Sequence, residues 1–206
     1  MNNLEITNIK DMLKKTGELY GDKPAYKFKT ETPNNFKTIS HREVREMVDS
    51  LGTSLVSLLN LKDKRVGIIG ENRYEWEVAY LSIVAGTGVV VPFDKALPEN
   101  ELDSLIKRSE VEAIFYTKPY ENTLVRLAKD STTKLKHLIC LDYENHLDNI
   151  YSFKELIKKG KNLLESGNTE FIDAKVSPEQ VASMLFTSRN YFSIKSCYAF
   201  SKKYLQ

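Results

Sequence analysis

The sequence predicts an α/β fold with a mainly parallel sheet flanked by helices. Short apolar runs recur at RVGIIG, GVVVPF, EAIFYT and HLICLD. Such runs are typical of strands that are covered on both faces. The stretches between them are long enough for the helical crossovers that join parallel strands. We therefore expect parallel strands at 65–70, 88–93, 113–117 and 137–142, with helices on both faces of the sheet.

The first forty residues predict one helix and two strands. The helix is expected over Ile9 to Tyr20, and the strands at PAYKFK and NFKTI. Between the two strands lies TPNN, a sequence that favours a turn. The strands are therefore interpreted as an adjacent pair.

A long amphipathic helix follows, and its start is well marked. Ser40 can accept a hydrogen bond from the backbone amide of Glu43 while the Glu43 side chain reaches back, which is a capping box. Apolar residues then recur at helical spacing, at Val44, Met47, Val48, Leu51, Leu55, Leu58 and Leu59. This spacing predicts one apolar face that packs against a core.

The later stretches predict further helices and a last strand. NRYEWEVAYLSIVAG, LPENELDSLIKRSE and KPYENTLVRLAKD are the expected crossover helices. Ser152 and Glu155 predict a second capping box, at the start of YSFKELIKKGKNLLES. SGNTEFIDAK is interpreted as a polar connector. Ser177 as N-cap and Pro178 as first helical residue predict a short helical turn before the strand ASMLFTS.

Composition and charge narrow the class of protein. Of the 206 residues, 41% are hydrophobic and 28% are charged, which is ordinary for a soluble globular protein. The basic and acidic residues are spread along the chain and leave a net charge of only +2, so no nucleic-acid partner is predicted. No apolar run approaches the roughly 20 residues that span a bilayer, and the N-terminus lacks a signal-peptide pattern. We expect a cytoplasmic protein without a transmembrane segment.

Cysteines and histidines give no catalytic or metal-binding pattern. Cys140 and Cys197 have no metal-ligand spacing, a disulfide is not expected, and Cys140 lies in an apolar run that predicts a buried thiol. His41, His137 and His146 fall at a helix start, a strand start and a polar loop, where solvated surface roles are favoured. No catalytic residue and no metal ligand is therefore predicted.

Three other features favour structural roles. Gly67 and Gly70 lie where a nucleotide-binding turn would lie, but the G-x-G-x-x-G spacing is absent, so a tight strand-to-helix turn is favoured. Trp76 shares a helical face with apolar residues and is interpreted as core. Glu75 and Glu77 point to different sides of a helix and cannot act as a pair.

The order of the segments resembles the N-terminal part of the AMP-forming acyl-CoA synthetases, in the adenylate-forming superfamily. The likeness is strongest to bacterial long-chain fatty-acid–CoA ligases and covers about Asp11 to Ser188. It is carried by ISHREVREMVDSLGTSLVSL, by the stretch from KDKRVGIIGENRYEWE to SEVEAIFYT, and by SPEQVASMLFTS. The ENRYEW turn followed by VVVPFDKALP is specific in combination.

The resemblance implies the N-terminal subdomain of the synthetase fold and an ATP-dependent ligase. Such an enzyme activates a fatty acid as an acyl-adenylate and transfers the acyl group to coenzyme A. ATP, Mg²⁺ and CoA are the cofactors implied for the full-length enzyme. The family holds the phosphates with a loop of the form T-S-G-T-T-G-x-P-K-G. Thr187 and Ser188 match its first two positions and are the implied ATP phosphate-binding residues.

The match to the family pattern stops at Arg189, which stands where the loop has glycine. Asn190, Tyr191 and Phe192 then replace small hydroxyl residues. We therefore expect residues 1–188 to be an incomplete AMP-binding subdomain and residues 189–206 to be an aberrant, peripheral tail. The truncated chain is expected to be inactive alone and to bind none of the cofactors.

A single-nucleotide shift accounts for the departure. Arg-Asn-Tyr-Phe can be encoded by AGG AAC TAC TTC, and reading one base later gives Gly-Thr-Thr and the first two bases of a serine codon. With permitted codons, the shifted frame from position 187 reads T-S-G-T-T-S-A-S-K-A-V-M-L-S-Q-K-N-I. This restores a family loop together with its lysine, so we expect residues 189–206 to be out of frame; the alternative is a natural C-terminus that diverges from the family.

Two alternatives remain open. The chain could be a non-catalytic α/β module that binds a partner, or itself, through surfaces that the rest of the enzyme normally covers. It could also be a free-standing nucleotide-binding domain that uses the GIIGENR turn.

Overall fold

A computed structural model describes residues 6–30 and 35–186, and the backbone of residues 197–200. The N-terminal elements are helix α1 (Ile9–Tyr20), strands β1 (Pro24–Lys29) and β2 (Phe36–Ser40), and helix α2 (His41–Ser57). The central elements are β3 (Lys64–Ile69), α3 (Tyr74–Ser82), β4 (Gly88–Pro92), α4 (Glu99–Ser109), β5 (Ala113–Tyr116) and α5 (Glu121–Ala128). The last elements are β6 (His137–Cys140), β7 (Ile150–Ser152), α6 (Phe153–Glu165), α7 (Glu170–Asp173), β8 (Val181–Leu185) and β9 (Cys197–Phe200).

Among the described residues, strands β3 to β9 form one sheet in the order β7-β6-β5-β3-β4-β8-β9. Six strands are parallel, and β9 pairs antiparallel with β8 at the edge. From β3 the chain passes to β4 on one side and then returns to β5 on the other side. The sheet is therefore doubly wound, with its topological switch between β3 and β5.

Both faces of the sheet are covered, as the continuous apolar runs predict. Val66 and Ile68 of β3 belong to the core beneath α1, α2, α3 and α6, whereas Ile69 belongs to the core beneath α4 and α5. The residues of β5 point alternately into these two cores, and all of them are fully buried. The expected parallel sheet with helices on both faces is confirmed.

The N-terminal expectations are confirmed, with one correction in α2. Strands β1 and β2 pair antiparallel. The first capping box is complete, because Glu43 N donates to Ser40 Oγ at 3.2 Å and Ser40 N donates to Glu43 Oε2 at 2.7 Å. The prediction that Leu58 is buried is wrong, since it is 42% exposed. Instead residues 50–56 are buried all round, because α6, α3 and α7 enclose this half of the helix.

The second capping box forms only in half. Glu155 N donates to Ser152 Oγ at 3.3 Å, but Glu155 Oε2 accepts from the backbone amide of His146 at 2.7 Å. The amide of Ser152 donates instead to His146 Nδ1 at 2.8 Å. The solvated surface role expected for His146 is therefore wrong. Strand β7 pairs with β6, so the loop between these two strands folds back. It therefore lies over the start of α6, which follows β7 directly.

One of two connections near the end of the family-like region differs from expectation. The stretch interpreted as a polar connector contains α7, whose Phe171 is fully buried against Gly52 of α2. The short turn expected before β8 is present with Ser177 as its capping residue, because Glu179 N donates to Ser177 Oγ at 3.3 Å and Gln180 N donates to Ser177 O at 3.0 Å, but the turn does not extend into a helix. In the tail, the backbone of β9 pairs with β8 at the edge of the sheet, a strand that the sequence analysis does not predict. The remaining tail residues lie outside the described ranges.

Candidate functional site

The carboxyl ends of five parallel strands meet at one edge of the sheet. The turn after β3, the segment after β4, and the first residues after β5, β6 and β8 all lie there. In open α/β sheets, ligands bind outside the carboxyl ends of the strands, near a topological switch point. This edge is therefore the candidate site of the chain.

Strand β8 leads the chain to this edge beside β4. Ser183 of β8 is paired with Val90 of β4. Phe186, which follows β8, stacks on Phe93, which follows β4, with ring centroids 6.1 Å apart. The predicted phosphate-binding residues Thr187 and Ser188 come next in sequence and lie outside the described residues. The structure thus describes the chain up to Phe186, directly before the predicted loop.

Gly67 and Gly70 allow the chain to pack closely against neighbouring side chains. Gly67 lies within β3, where an added Cβ would come within 2.8 Å of the Phe93 ring. Gly70 has a φ of 154°, and an added Cβ would lie 2.9 Å from the Thr117 side chain. These contacts support the tight-turn interpretation that the sequence favours.

A charged network ties three strand ends together at the start of α3. The Arg73 guanidinium makes two hydrogen bonds of 2.8 Å with Glu75 and one of 2.5 Å with Asp142, which follows β6. Asp142 also accepts from the backbone amide of Lys118, which follows β5, at 2.8 Å. The hydrogen bonds from Arg73 to Glu75, more than the one to Asp142, raise the pKa of Arg73 above its usual range.

Sequence reasoning missed this network. The sequence marks ENRYEW as a family-like segment but predicts no role for Arg73. Its partner Asp142 lies 69 residues away, and a single sequence carries no signal of such a contact. The separate roles expected for Glu75 and Glu77 are confirmed, since Glu75 binds Arg73 whereas Glu77 accepts from the Tyr26 hydroxyl at 2.7 Å.

Two carboxylates lie at the strand ends beside the switch point, Glu71 after β3 and Asp94 after β4. Glu71 accepts from the Thr117 hydroxyl at 3.0 Å, and Tyr120 donates to the carbonyl of Lys95 at 2.9 Å. Burial, and then the charges of Glu71 and Asp94, raise the pKa of Tyr120. Carboxylates here, and Glu75 in the first turn of α3, oppose binding of a phosphate at this turn. The geometry gives no support to the GIIGENR turn as a nucleotide site.

The tryptophan, two of the histidines and the described cysteine belong to helices and strands of the fold. Trp76 is half-buried against the core and stacks on Tyr80 with centroids 5.6 Å apart, as predicted. His41 begins α2 and His137 begins β6, and burial lowers the pKa of His137. Cys140 is fully buried, and burial raises the pKa of its thiol. Within the described part of the chain, no three His, Cys, Asp or Glu side chains are grouped as metal ligands would be.

Comparison with protein families and curated proteins gives consistent matches. A family model described as AMP-binding enzyme matches residues 13–188. Fatty acyl-CoA synthetase B of Dictyostelium discoideum is 25% identical over 198 residues, which is 89% of this chain and 28% of that protein. Long chain acyl-CoA synthetase 3 of Arabidopsis thaliana is 26% identical over 131 residues, which is 59% of this chain and 20% of that protein.

Solved structures share the fold at low sequence identity. A long-chain-fatty-acid-CoA ligase from Archaeoglobus fulgidus superposes with a TM-score of 0.70 at 18% identity, over 89% of this chain and 35% of that chain. The A-PCP didomain of a carboxylic acid reductase from Segniliparus rugosus, in complex with AMP, gives 0.71 at 15% identity, over 90% and 31%. The chain thus spans about a third of these structures.

Proposed function

Because the chain belongs to the AMP-binding enzyme family, we propose that it is the N-terminal portion of a long-chain fatty-acid–CoA ligase. The complete enzyme would activate a fatty acid with ATP as an acyl-adenylate, release pyrophosphate and transfer the acyl group to coenzyme A. The observation that carries the proposal is the family match over residues 13–188, supported by relatives named as fatty acyl-CoA synthetases. The compartment proposed for this chemistry is the cytoplasm.

Thr187 and Ser188 are the proposed phosphate-binding residues of this chain. Acyl-adenylate formation needs backbone amides, hydroxyls and a cation placed around the phosphates. The described part of the candidate edge does not fit a triphosphate by itself. Arg73 is committed to Glu75 and Asp142, and Glu71 and Asp94 add negative charge nearby. Phosphate binding would therefore depend on a loop of the family form after Phe186.

We further propose that the chain as given is inactive alone, because residues 189–206 are out of frame. The family match ends at residue 188, next to Arg189, where the loop pattern requires glycine. The shifted frame restores the glycine, the hydroxyl residues and the lysine. Sequencing the locus tests this proposal. The absence of an open frame for the rest of a synthetase, in the shifted register, would defeat it.

The activity is tested by pyrophosphate release with ATP, Mg²⁺, CoA and a long-chain fatty acid. We expect none from the 206-residue chain and turnover from the protein encoded by the restored frame. Turnover by the 206-residue chain would refute its proposed inactivity. An inactive restored protein that folds and binds ATP would refute the proposed ligase substrate. Shorter and aromatic acids, assayed in parallel, would then identify the acid.

A non-catalytic module that binds itself is the second proposal. Leu185, the last residue of β8, is a large apolar residue that is 38% exposed. Calorimetric titration with ATP and CoA, together with light scattering, separates the two proposals. A chain that binds neither ligand but forms a defined dimer would favour the module.

A further inference from the structure

The β1–β2 hairpin has one face on the core and one face in solvent. Tyr26 and Phe28 point inward, where the Tyr26 hydroxyl binds Glu77 and the Phe28 ring stacks on Tyr74 at 5.3 Å. Side chains alternate along a strand, and directly opposed residues share a face. The register opposes Lys27 to Thr38 and Lys29 to Phe36. We call the outward set Lys27, Lys29, Phe36 and Thr38 the basic hairpin face.

The lysines of this hairpin have no acidic partner in the described part of the chain. Residues 23–30 and 35–40 contain four lysines and no Asp or Glu, and no described carboxylate lies within ion-pair distance of Lys23, Lys27, Lys29 or Lys37. On the larger sheet, by contrast, Lys64 and Lys136 both pair with Glu112, at 2.9 and 3.4 Å. Within the described residues, the hairpin thus carries four lysines and no acidic side chain, while Glu31 belongs to the connecting residues 31–34 outside the described ranges.

An aromatic ring lies among these charges. Phe36 is 45% exposed, although it is a large apolar residue. The Lys27 ammonium lies over its ring, 4.7 Å from the centroid, which is a cation–π contact. Aromatic rings beside lysines suit the lipid headgroup boundary, where the ring meets the acyl chains and the ammonium meets phosphate.

We propose that the basic hairpin face docks the protein on an anionic lipid bilayer. Charge complementarity carries the choice of partner, because each lysine near an anionic surface strengthens binding. A bilayer fits better than nucleic acid, since the face offers one exposed ring where single-stranded binding uses successive stacked rings. Contact would be peripheral, as no helix among the described residues is long and apolar enough to cross a membrane. This proposal does not depend on the proposed function.

Vesicle sedimentation with the full 206-residue chain tests the proposal. We expect binding to phosphatidylcholine vesicles that contain phosphatidylglycerol, and not to phosphatidylcholine alone, with binding weakened by added salt. Replacing Lys27→Ala and Lys29→Ala together should lower the partition coefficient by about fivefold for each lysine removed. Phe36→Ala should lower the binding that remains at physiological ionic strength. Thermal melting of each variant checks that the fold is retained.

Lys158→Ala with Lys161→Ala is the matched control. Both residues are exposed on α6, and replacing them changes the net charge by the same amount as replacing Lys27 and Lys29. We expect the control protein to keep its vesicle binding. Equal losses in the two double variants would overturn the proposal, because they would indicate general charge attraction. Absence of binding to anionic vesicles would also overturn it. So would binding to a single-stranded oligonucleotide that is tighter than binding to the anionic vesicles at the same salt concentration, which would indicate a nucleic-acid surface.

Discussion

The two helix layers of this molecule hold the same sheet by different means. Helices α2 and α6 approach so closely that an added Cβ at Gly160 would lie 1.7 Å from the Ser50 carbonyl oxygen. Helices α4 and α5 are joined at their surface by Arg126, which binds Glu99 at 3.0 Å and Asp103 at 2.8 Å. The layer that contains α2 and α6 therefore depends on steric fit. The layer that contains α4 and α5 has a buried core and, in addition, ion pairs on its surface that solvent and salt screen.

The difference predicts where the molecule tolerates change. Close packing leaves no room for an added methyl group, whereas exposed ion pairs adjust by rotation of their side chains. Substitutions in the α2–α6 layer should therefore have large and non-additive effects. Substitutions of the exposed pairs between α4 and α5 should have small effects that depend on salt.

The largest effect is expected at Phe171, which α7 places against α2. Phe171→Ala should lower the free energy of unfolding by about 4 kcal/mol, because it removes a fully buried ring and leaves a cavity. Gly52→Ala should cost about 2 kcal/mol, since its Cβ would lie 2.2 Å from that ring. Urea unfolding of both variants measures these losses.

The double variant sharpens this prediction. With the ring removed, the Cβ of Gly52→Ala has space, so Gly52→Ala should then lower the free energy of unfolding by almost nothing. The coupling free energy between the two sites should therefore be about 2 kcal/mol. Additive losses would show that Gly52 is required for a reason other than contact with Phe171. They would contradict the assignment of steric fit to this layer.

Gly160→Ala comes second, with an expected loss of about 3 kcal/mol. The obstacle is a backbone carbonyl of α2, which cannot rotate away as a side chain can. Lys161→Ala, on the exposed side of α6, is the control and should leave the unfolding midpoint nearly unchanged. A Gly160→Ala protein as stable as this control would show that α2 and α6 can separate at little cost.

The start of α6 should respond to pH. Burial lowers the pKa of His146, and Lys159 lowers it further, while Glu155 opposes the shift. The folded protein therefore holds this proton less tightly than the unfolded chain. Stability from this group is complete above the unfolded pKa of about 6.5 and falls as the pH drops below it. Protonation would also remove the Nδ1 acceptor that Ser152 uses.

Thermal melting between neutral and mildly acidic pH measures this effect. The His146→Gln protein should show a shallower loss of stability on acidification than the unchanged protein. Because burial also lowers the pKa of His137, His137→Gln is the comparison, and the double variant should be shallower still. An unchanged pH profile in His146→Gln would contradict a neutral, structural histidine at this position.

The same contrast explains what the sequence could predict. Strands β3 to β6 were predictable because full burial on both faces makes each a continuous apolar run. Strand β7 has only three residues, too few to show a pattern, and its absence from the prediction misplaced His146. Small residues such as Ser50 and Gly52 do not indicate burial in a hydrophobic pattern, yet they form the contact surface for α6 and α7.

For the candidate site, the order of the family-like segments predicts a phosphate loop after β8, at Thr187 and Ser188. These two residues lie outside the described part of the chain, so the position of the loop stays a prediction. Contacts such as Arg73 with Asp142 join distant segments and become visible only in the folded sheet.

The smallest effect is expected at Arg126. Arg126→Gln removes its ion pairs with Glu99 and Asp103, but all three side chains retain solvent exposure, so water and salt ions replace most of the lost attraction. The decrease in melting temperature should be smaller than for Gly160→Ala and should shrink as the salt concentration rises. Hydrogen bonding between Thr123 and Glu99 still joins α4 to α5 in this variant. A large loss that persists at high salt would mean that Arg126 supports the layer through packing of its aliphatic stem, and the distinction between a steric and an electrostatic layer would then fail.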